Sequence, residues 1–234
     1  LDIPIPESHW PELLHEAMRR NGVGNEQTDA YLRITVSRGA GEIGLDPGLC
    51  PRATVVIMAK PLHPSPPVLS RDGVSLTVAN TRRNLPEALS PQIKSTNFLN
   101  NILAKRESIA AGTFDSLFLN WKDELTECTV SNLFFISGKT LHTPALDCGI
   151  LDGITRTIVM TLAQEEGVPV REGHYHLADL QRAEECFLTN TSMEIMPVNR
   201  VDSFAIGDGR PGSLTRRLQT RFADSRTRFL EPPS

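Results

Sequence analysis

Leu13, Leu14, Ala17 and Met18 recur at helical spacing in "HWPELLHEAMRRNG", and Gly22 follows as the stop, so the chain is predicted to open on an amphipathic helix. The period then changes to two. In "AYLRITVSRG", Leu32, Ile34 and Val36 alternate with Tyr31, Arg33, Thr35 and Ser37, the pattern of a strand with one apolar and one polar face. "ATVVIMAK", residues 53–60, reads as a second strand that is apolar on both faces. Next comes "PLHPSPP", residues 61–67, whose four prolines predict a stiff extended connector rather than a regular element. This places a domain boundary there, with residues 1–60 forming a small N-terminal α/β domain and residues 68–234 a larger one.

In the second part "VSLTVAN" is a predicted strand, and "TNFLNNILAKRESIAAG" a helix closed by Gly112. "SLFLNW" is a further strand, and "NLFFISGKTLHTP" a hairpin about Ser137 and Gly138. "GITRTIVMTLAQEEG" is a helix with Ile154, Ile158, Val159, Leu162 and Ala163 on one stripe and Gly167 beyond its end. "ECFLTN" is a strand and "SLTRRLQTRFADS" a terminal helix. There is no internal repeat. The mixture of strands and helices predicts an α/β (mixed α+β) fold in two parts.

Composition narrows the function. A net charge of −4 with scattered basic residues excludes a nucleic-acid surface. The arginines of the last helix, Arg216, Arg217, Arg221, Arg226 and Arg228, are interrupted by Asp224 and Glu231 and read as a solvated face. No apolar run is long enough for a membrane helix. Cys50, Cys128, Cys148 and Cys186 form no CxxC pair, which fits a reducing cytoplasm and neither a disulfide framework nor a zinc knuckle. The chain starts without methionine, and we expect an N-terminal piece to have been removed or left out.

Two motifs mislead. Gly39, Gly41 and Gly44 spell GxGxxG after a strand, but "LDPGLCP" follows, where Pro47, Gly48 and Pro51 prevent the helix that a dinucleotide fingerprint must open. His174 and His176 could share a strand face and bind metal, yet no acid or cysteine at ligand spacing accompanies them, so no metal site is expected.

Four segments carry chemistry. Lys94 in "PQIKSTNFLNN" sits in a neutral run with no acid within six residues on either side. Placed at the start of a helix, its ammonium would meet the positive end of the dipole, which favours the neutral, nucleophilic amine. "LTECTVSNLFF" holds Glu127 before an apolar strand, where a partly desolvated carboxylate needs a cationic partner, and Asn132 five residues on. "LDGITR" puts Gly153, Ile154 and Thr155 at a helix N-terminus able to hold phosphate, although Asp152 could instead merely cap it. "FLTNTSMEIMPV" offers Thr189, Asn190, Thr191 and Ser192 as short donors at a strand end.

An amine, a buried carboxylate and a two-part phosphate cradle are what pyridoxal 5′-phosphate requires. In their order and spacing these segments resemble the fold-type IV pyridoxal-phosphate enzymes, class IV aminotransferases with the D-amino-acid aminotransferase-like fold, over nearly the whole chain. The resemblance implies that Lys94 is the Schiff-base lysine and proton shuttle, and that Glu127 faces the pyridine nitrogen with Asn132 beside it. It further implies that Gly153, Ile154, Thr155 and Thr191 hold the phosphate, that Leu151 packs on the ring, and that Thr191, Ser192 and Met193 offer amides to the substrate carboxylate. Tyr31 and Arg33 match a Tyr-x-Arg strand of the substrate pocket, or else form a solvated sheet face. "SRGAGEIGLDPGLCP" resembles the interdomain loop of the archaeal-like branched-chain group, which favours branched-chain L-amino acids with 2-oxoglutarate. The resemblance also implies a homodimer.

Phe98 stands near where the family usually has a tyrosine to the coenzyme's 3′ oxygen, and the family's first strands and helix lie before the start of this chain. The other readings are an aminodeoxychorismate lyase or D-amino-acid aminotransferase of the same fold, a cofactor-free non-catalytic domain, and a nicotinamide enzyme.

Overall fold

The computed structural model describes residues 3, 9–25, 29–226 and 228; Glu231 and most of the opening "LDIPIPES" lie outside them. The chain divides into two compact units, Leu1–Pro64 and Ser65–Ser234.

In the first unit, helix α1 (Trp10–Asn21) ends where Gly22 takes a left-handed conformation, φ 63°, and its amide returns to the carbonyl of Arg19. Strands β1 (Ala30–Ser37) and β2 (Thr54–Pro61) pair antiparallel without a slip, from Ala30↔Pro61 to Ser37↔Thr54. Sequence patterning makes β2 apolar throughout, but only one face is covered: Val55, Ile57 and Ala59 turn inward while Val56 and Met58 are exposed. Residues 39–46 form no helix. A Cβ on Gly39 would lie 1.8 Å from the carbonyl oxygen of Arg52, and one on Gly41 2.0 Å from that of Leu49. The glycines that mimic a dinucleotide motif are therefore needed by the loop's own close packing.

The proline-rich stretch is less irregular than its composition predicts. Pro61 ends β2 and Pro67 opens helix α2 (Pro67–Asp72), leaving only residues 62–66 outside regular structure. Both positions suit proline, since the end of a strand and the first turn of a helix need no N–H from it.

The second unit contains β3 (Val74–Val78), α3 (Leu99–Ala111), β4 (Asp115–Leu119), β5 (Leu125–Cys128), β6 (Asn132–Ser137), β7 (Thr140–Pro144) and α4 (Ile154–Glu165). These are followed by β8 (Val170–Gly173), α5 (Leu177–Gln181), β9 (Glu185–Asn190), β10 (Glu194–Val201), β11 (Phe204–Ala205) and α6 (Ser213–Asp224). Strand β10 pairs with β3 and β9, and β9 pairs with β6, so β3-β4-β5-β6-β9-β10 closes on itself. Closure sorts the alternating side chains. Leu76, Leu117, Leu125, Leu133, Leu188 and Met196 share one core, while Phe134, Ile136 and Phe187 pack on Val159, Leu162 and Ala163 of α4 and Leu218 of α6 in another. Arg217 and Arg221 of α6 pair with Glu165 and Glu166 at the end of α4, so that basic face is tied down.

The β6–β7 hairpin turns one residue later than expected. Ser137 pairs with Thr140, and Gly138 and Lys139 form the turn at φ 57° and 64°, the two left-handed positions a tight hairpin of this hand requires.

The N-terminus of α6 is capped from another element. Glu185 accepts hydrogen bonds from the Leu214 and Thr215 amides at 3.0 and 2.7 Å and from the Thr215 hydroxyl at 2.6 Å. Glu185→Ala should cost about 1–2 kcal/mol of stability, read from the urea midpoint at unchanged slope. An unshifted midpoint would show that the cap contributes nothing.

Candidate active site

The centre of the site is a buried carboxylate. Glu127 on β5 is 5% exposed and pairs in register with Asn132 on β6. Arg83 Nη2 donates to its Oε1 at 2.5 Å; Asn132 Nδ2 and the Leu151 amide donate to its Oε2 at 3.1 and 3.0 Å. Three of the roughly four acceptor positions of the carboxylate are thus filled, and one remains on Oε1. Burial pushes the Glu127 carboxyl up to about 7, opposed first by Arg83 and then by the Leu151 N–H, Lys94 and Arg156.

Arg83 is the cation that the lone acid calls for and the sequence does not identify. The chain beyond β3 keeps bonding to β4, through Ala79 N–H to Leu117 O and Arg83 N–H to Leu119 O, which carries Arg83 into the interior. There its Nε donates to Gly149 O at 3.1 Å and its guanidinium lies 5.5 Å from the Phe118 ring centre. "NTRRNL" reads as an exposed turn, so the one available clue is the unpaired acid itself.

Asn132 links the carboxylate to the next helix. Its Nδ2 also donates to Leu151 O at 2.8 Å, and a Cβ on Gly153 would lie 2.2 Å from its Oδ1. Only glycine fits there. Gly153 is the N-cap of α4 and brings no side-chain cap, while Asp152 turns away to pair with Arg156 at 3.4 Å. The capping role considered for Asp152 is thereby removed. The first intrahelical bond runs from Thr157 N–H to Gly153 O, so the Ile154 and Thr155 amides face outward at the positive end of the helix. Ile154, expected on the buried stripe, is 78% exposed beside this opening; Thr155 is buried. Across the β6–β9 pair, Thr189 stands opposite Asn132 with its buried hydroxyl unpartnered, as is that of Ser131. The sequence pattern points to Thr189 only as one of a cluster of short donors, and to Ser131 not at all. Open amides at a helix N-terminus and unpartnered buried hydroxyls fit a phosphate-bearing ligand.

Lys94 is exposed in the loop before α3, yet its charge acts on Glu127. It does not start the helix: α3 begins at Leu99, five positions on, with Phe98 as N-cap, so the helix dipole does not act on the amine as expected. Thr191, Ser192 and Met193 form the β9–β10 turn, but the Ser192 and Met193 amides donate to Asn190 Oδ1 at 2.9 and 2.8 Å. They are not open to a substrate, because asparagine closes this kind of turn with its own side chain. Tyr31 and Arg33 lie two apart on β1 in the other unit, Tyr31 under the Lys60 ammonium at 5.0 Å. His174 and His176 do not share a strand: β8 ends at Gly173 and His176 caps α5. No acid or cysteine stands at ligand spacing from them in the sequence, yet in space Glu124, Asp147 and Cys148 surround His174. Folding brings these together from positions that no linear spacing reveals.

Residues 1–201 match the family model "Amino-transferase class IV". The chain is 37% identical over 229 residues to a putative branched-chain-amino-acid aminotransferase of Methanocaldococcus jannaschii, covering 98% of this chain and 77% of that protein. It is 32% identical to the aminodeoxychorismate lyase of Bacillus subtilis, covering 89% and 69%. The crystal structure of a T.th. branched-chain amino acid aminotransferase with pyridoxamine 5′-phosphate is similar at TM-score 0.87 and 28% identity, covering 95% and 72%.

Two outcomes are expected. Arg83→Ala should destabilise the protein by about 3–5 kcal/mol in chemical denaturation, because it strands a buried acid, and Arg83→Ala with Glu127→Gln should recover part of that loss. Equal losses in the single and double variants would refute the pairing. With its carboxyl raised from 4.5 to about 7 in the folded state, Glu127 binds more proton folded than unfolded in that window. Its contribution to stability therefore declines as pH rises from 4.5 to 7, by up to roughly 3 kcal/mol. Glu127→Gln should flatten that slope.

Proposed function

The chain belongs to the class IV aminotransferase family, and from that premise we propose that it moves an amino group between branched-chain L-amino acids and 2-oxoglutarate, with Lys94 as the reactive amine. The cofactor of the family is pyridoxal 5′-phosphate. When bound, it supplies an electron-withdrawing ring that makes the α-proton of an amino acid removable. The observation that carries the site assignment is the link from buried Glu127 through Asn132 to Leu151, two residues before the open N-terminus of α4.

The amides of Ile154 and Thr155, the Thr155 hydroxyl and Thr191 would hold the phosphate, and Gly153 leaves room for Asn132 beside them. Leu151 would pack against the ring. Glu127, fixed by Arg83 and Asn132, has an acceptor position still open on Oε1 and would hold the ring nitrogen's proton there. Lys94 would hold the coenzyme and supply the amine that takes up and returns the substrate's α-proton. Since the Ser192 and Met193 amides are engaged, Thr191 is what that turn offers a ligand. Tyr31 and Arg33 are assigned to the substrate, supported by their spacing on one face of β1.

Amino-donor class rests on likeness to the relative named for branched-chain substrates. A homodimer is supported by the exposed apolar stripe of α3, made by Leu99, Ile102, Leu103 and Ile109. No described helix is long and apolar enough to cross a membrane, and four unpaired cysteines support a reducing, cytoplasmic setting.

Purified protein given the coenzyme, L-leucine and 2-oxoglutarate should yield glutamate and the keto acid of leucine, and borohydride should leave a coenzyme label on Lys94. Lys94→Ala should lower turnover at least about 10²-fold. Unchanged turnover in that variant would remove the mechanism. Pyruvate and aminobenzoate released from aminodeoxychorismate without a keto acid would move the assignment to the lyase, the reading favoured by the Bacillus subtilis relative.

A further inference from the structure

Beside the Glu127 network, three segments distant in sequence converge on one point. The β4–β5 turn brings Glu124, the short 3₁₀ turn Leu146–Cys148 brings Cys148, and His174 follows β8. Glu124 Oε1 lies 3.1 Å and Cys148 Sγ 3.5 Å from His174 Nδ1, and the three ligand atoms lie within 4.8 Å of one another. Glu124 and Cys148 are buried; the His174 side chain is 45% exposed, so the cluster opens to solvent on one side.

The surroundings orient each group. Asn120 Nδ2 donates to Glu124 Oε2 at 2.7 Å, and its Oδ1 accepts from the Glu124 amide at 3.0 Å, which fixes the carboxylate with Oε1 toward the imidazole. Asp147 Oδ2 lies 3.3 Å from His174 Nε2. A carboxylate behind the distal imidazole nitrogen is the usual support of a metal-bound histidine, because it holds that nitrogen's proton and leaves the other lone pair forward. Here Nδ1 faces a carboxylate oxygen and a sulfur, whose own further contact is with Gly173 O at 3.7 Å, and a cation among the three would be bound by all of them at once. A tetrahedral ion with bonds of about 2.0–2.3 Å keeps its ligand atoms roughly 3.3–3.6 Å apart, close to the spacing found on two of the three edges.

We propose that Cys148, His174 and Glu124 bind one zinc-class divalent cation, with water in the fourth position. One sulfur, one imidazole and one carboxylate select such an ion over magnesium or calcium, which take oxygen sets. On binding, the thiol proton leaves to solvent as the Sγ–metal bond forms, and no electron changes hands. The ion would tie the β4–β5 turn and the end of β8 to Cys148, next to Gly149, whose carbonyl fixes Arg83. Its role is to hold the carboxylate network in place rather than to take part in amino transfer.

The test uses the full chain with its coenzyme, stripped by a chelator and dialysed against Zn²⁺ or Co²⁺. Elemental analysis should find a single equivalent of zinc, and Co²⁺ should give the intense visible bands of a four-coordinate site. Both should be lost in Cys148→Ser and in His174→Gln, and Asp147→Asn should weaken zinc binding about 10- to 100-fold. His174 is half-exposed, so its variant keeps the test open if the buried Cys148 variant does not fold. No retained zinc in the wild type, weak six-coordinate cobalt bands, or full stoichiometry in either ligand variant would overturn the proposal. The cluster would then be a protonated imidazole between two carboxylates.

Discussion

The ion pair of Glu127 with Arg83 is the constraint around which the large unit is arranged. Two charges that are each less than a tenth exposed can persist only if both are hydrogen-bonded on most sides. The fold meets that condition from four directions: the extension of β3 along β4 delivers Arg83, the β5–β6 pair delivers Asn132, Leu151 gives an amide, and Gly149 accepts the remaining guanidinium contact. Breaking any one leaves a polar group in a place that water does not reach.

That constraint extends to the start of α4. Asn132 holds both Glu127 and the Leu151 carbonyl, and its Oδ1 excludes any side chain at Gly153. One asparagine therefore sets the spacing between the buried acid and the open amides at the start of α4. The closed strand ring makes the spacing rigid, because Asn132 is also held in register against Thr189.

Relatives named for branched-chain transamination and for aminodeoxychorismate cleavage match this chain at 37% and 32% identity, so likeness to the family does not by itself set the substrate. Ile154 and Thr191 are exposed, so substitutions there strand no buried charge.

The α/β class, most of the helices and strands, and the family were legible from the chain alone, because they rest on local periodicity and on the order of short motifs. Glycines at Gly22, Gly112 and Gly167 marked helix ends, since the left-handed conformation they adopt satisfies the last carbonyls at no steric cost. Glu127 was legible as an acid in need of a partner. Which partner it takes emerges only on folding, because Arg83 lies 44 positions away and reaches Glu127 through a strand extension with no pattern of its own. Folding likewise makes Asn190 close the turn over the Ser192 and Met193 amides, sets Lys94 ahead of its helix rather than at its start, and gathers Glu124, Asp147 and Cys148 at His174. Each of these depends on distances between segments, which a linear spacing does not encode.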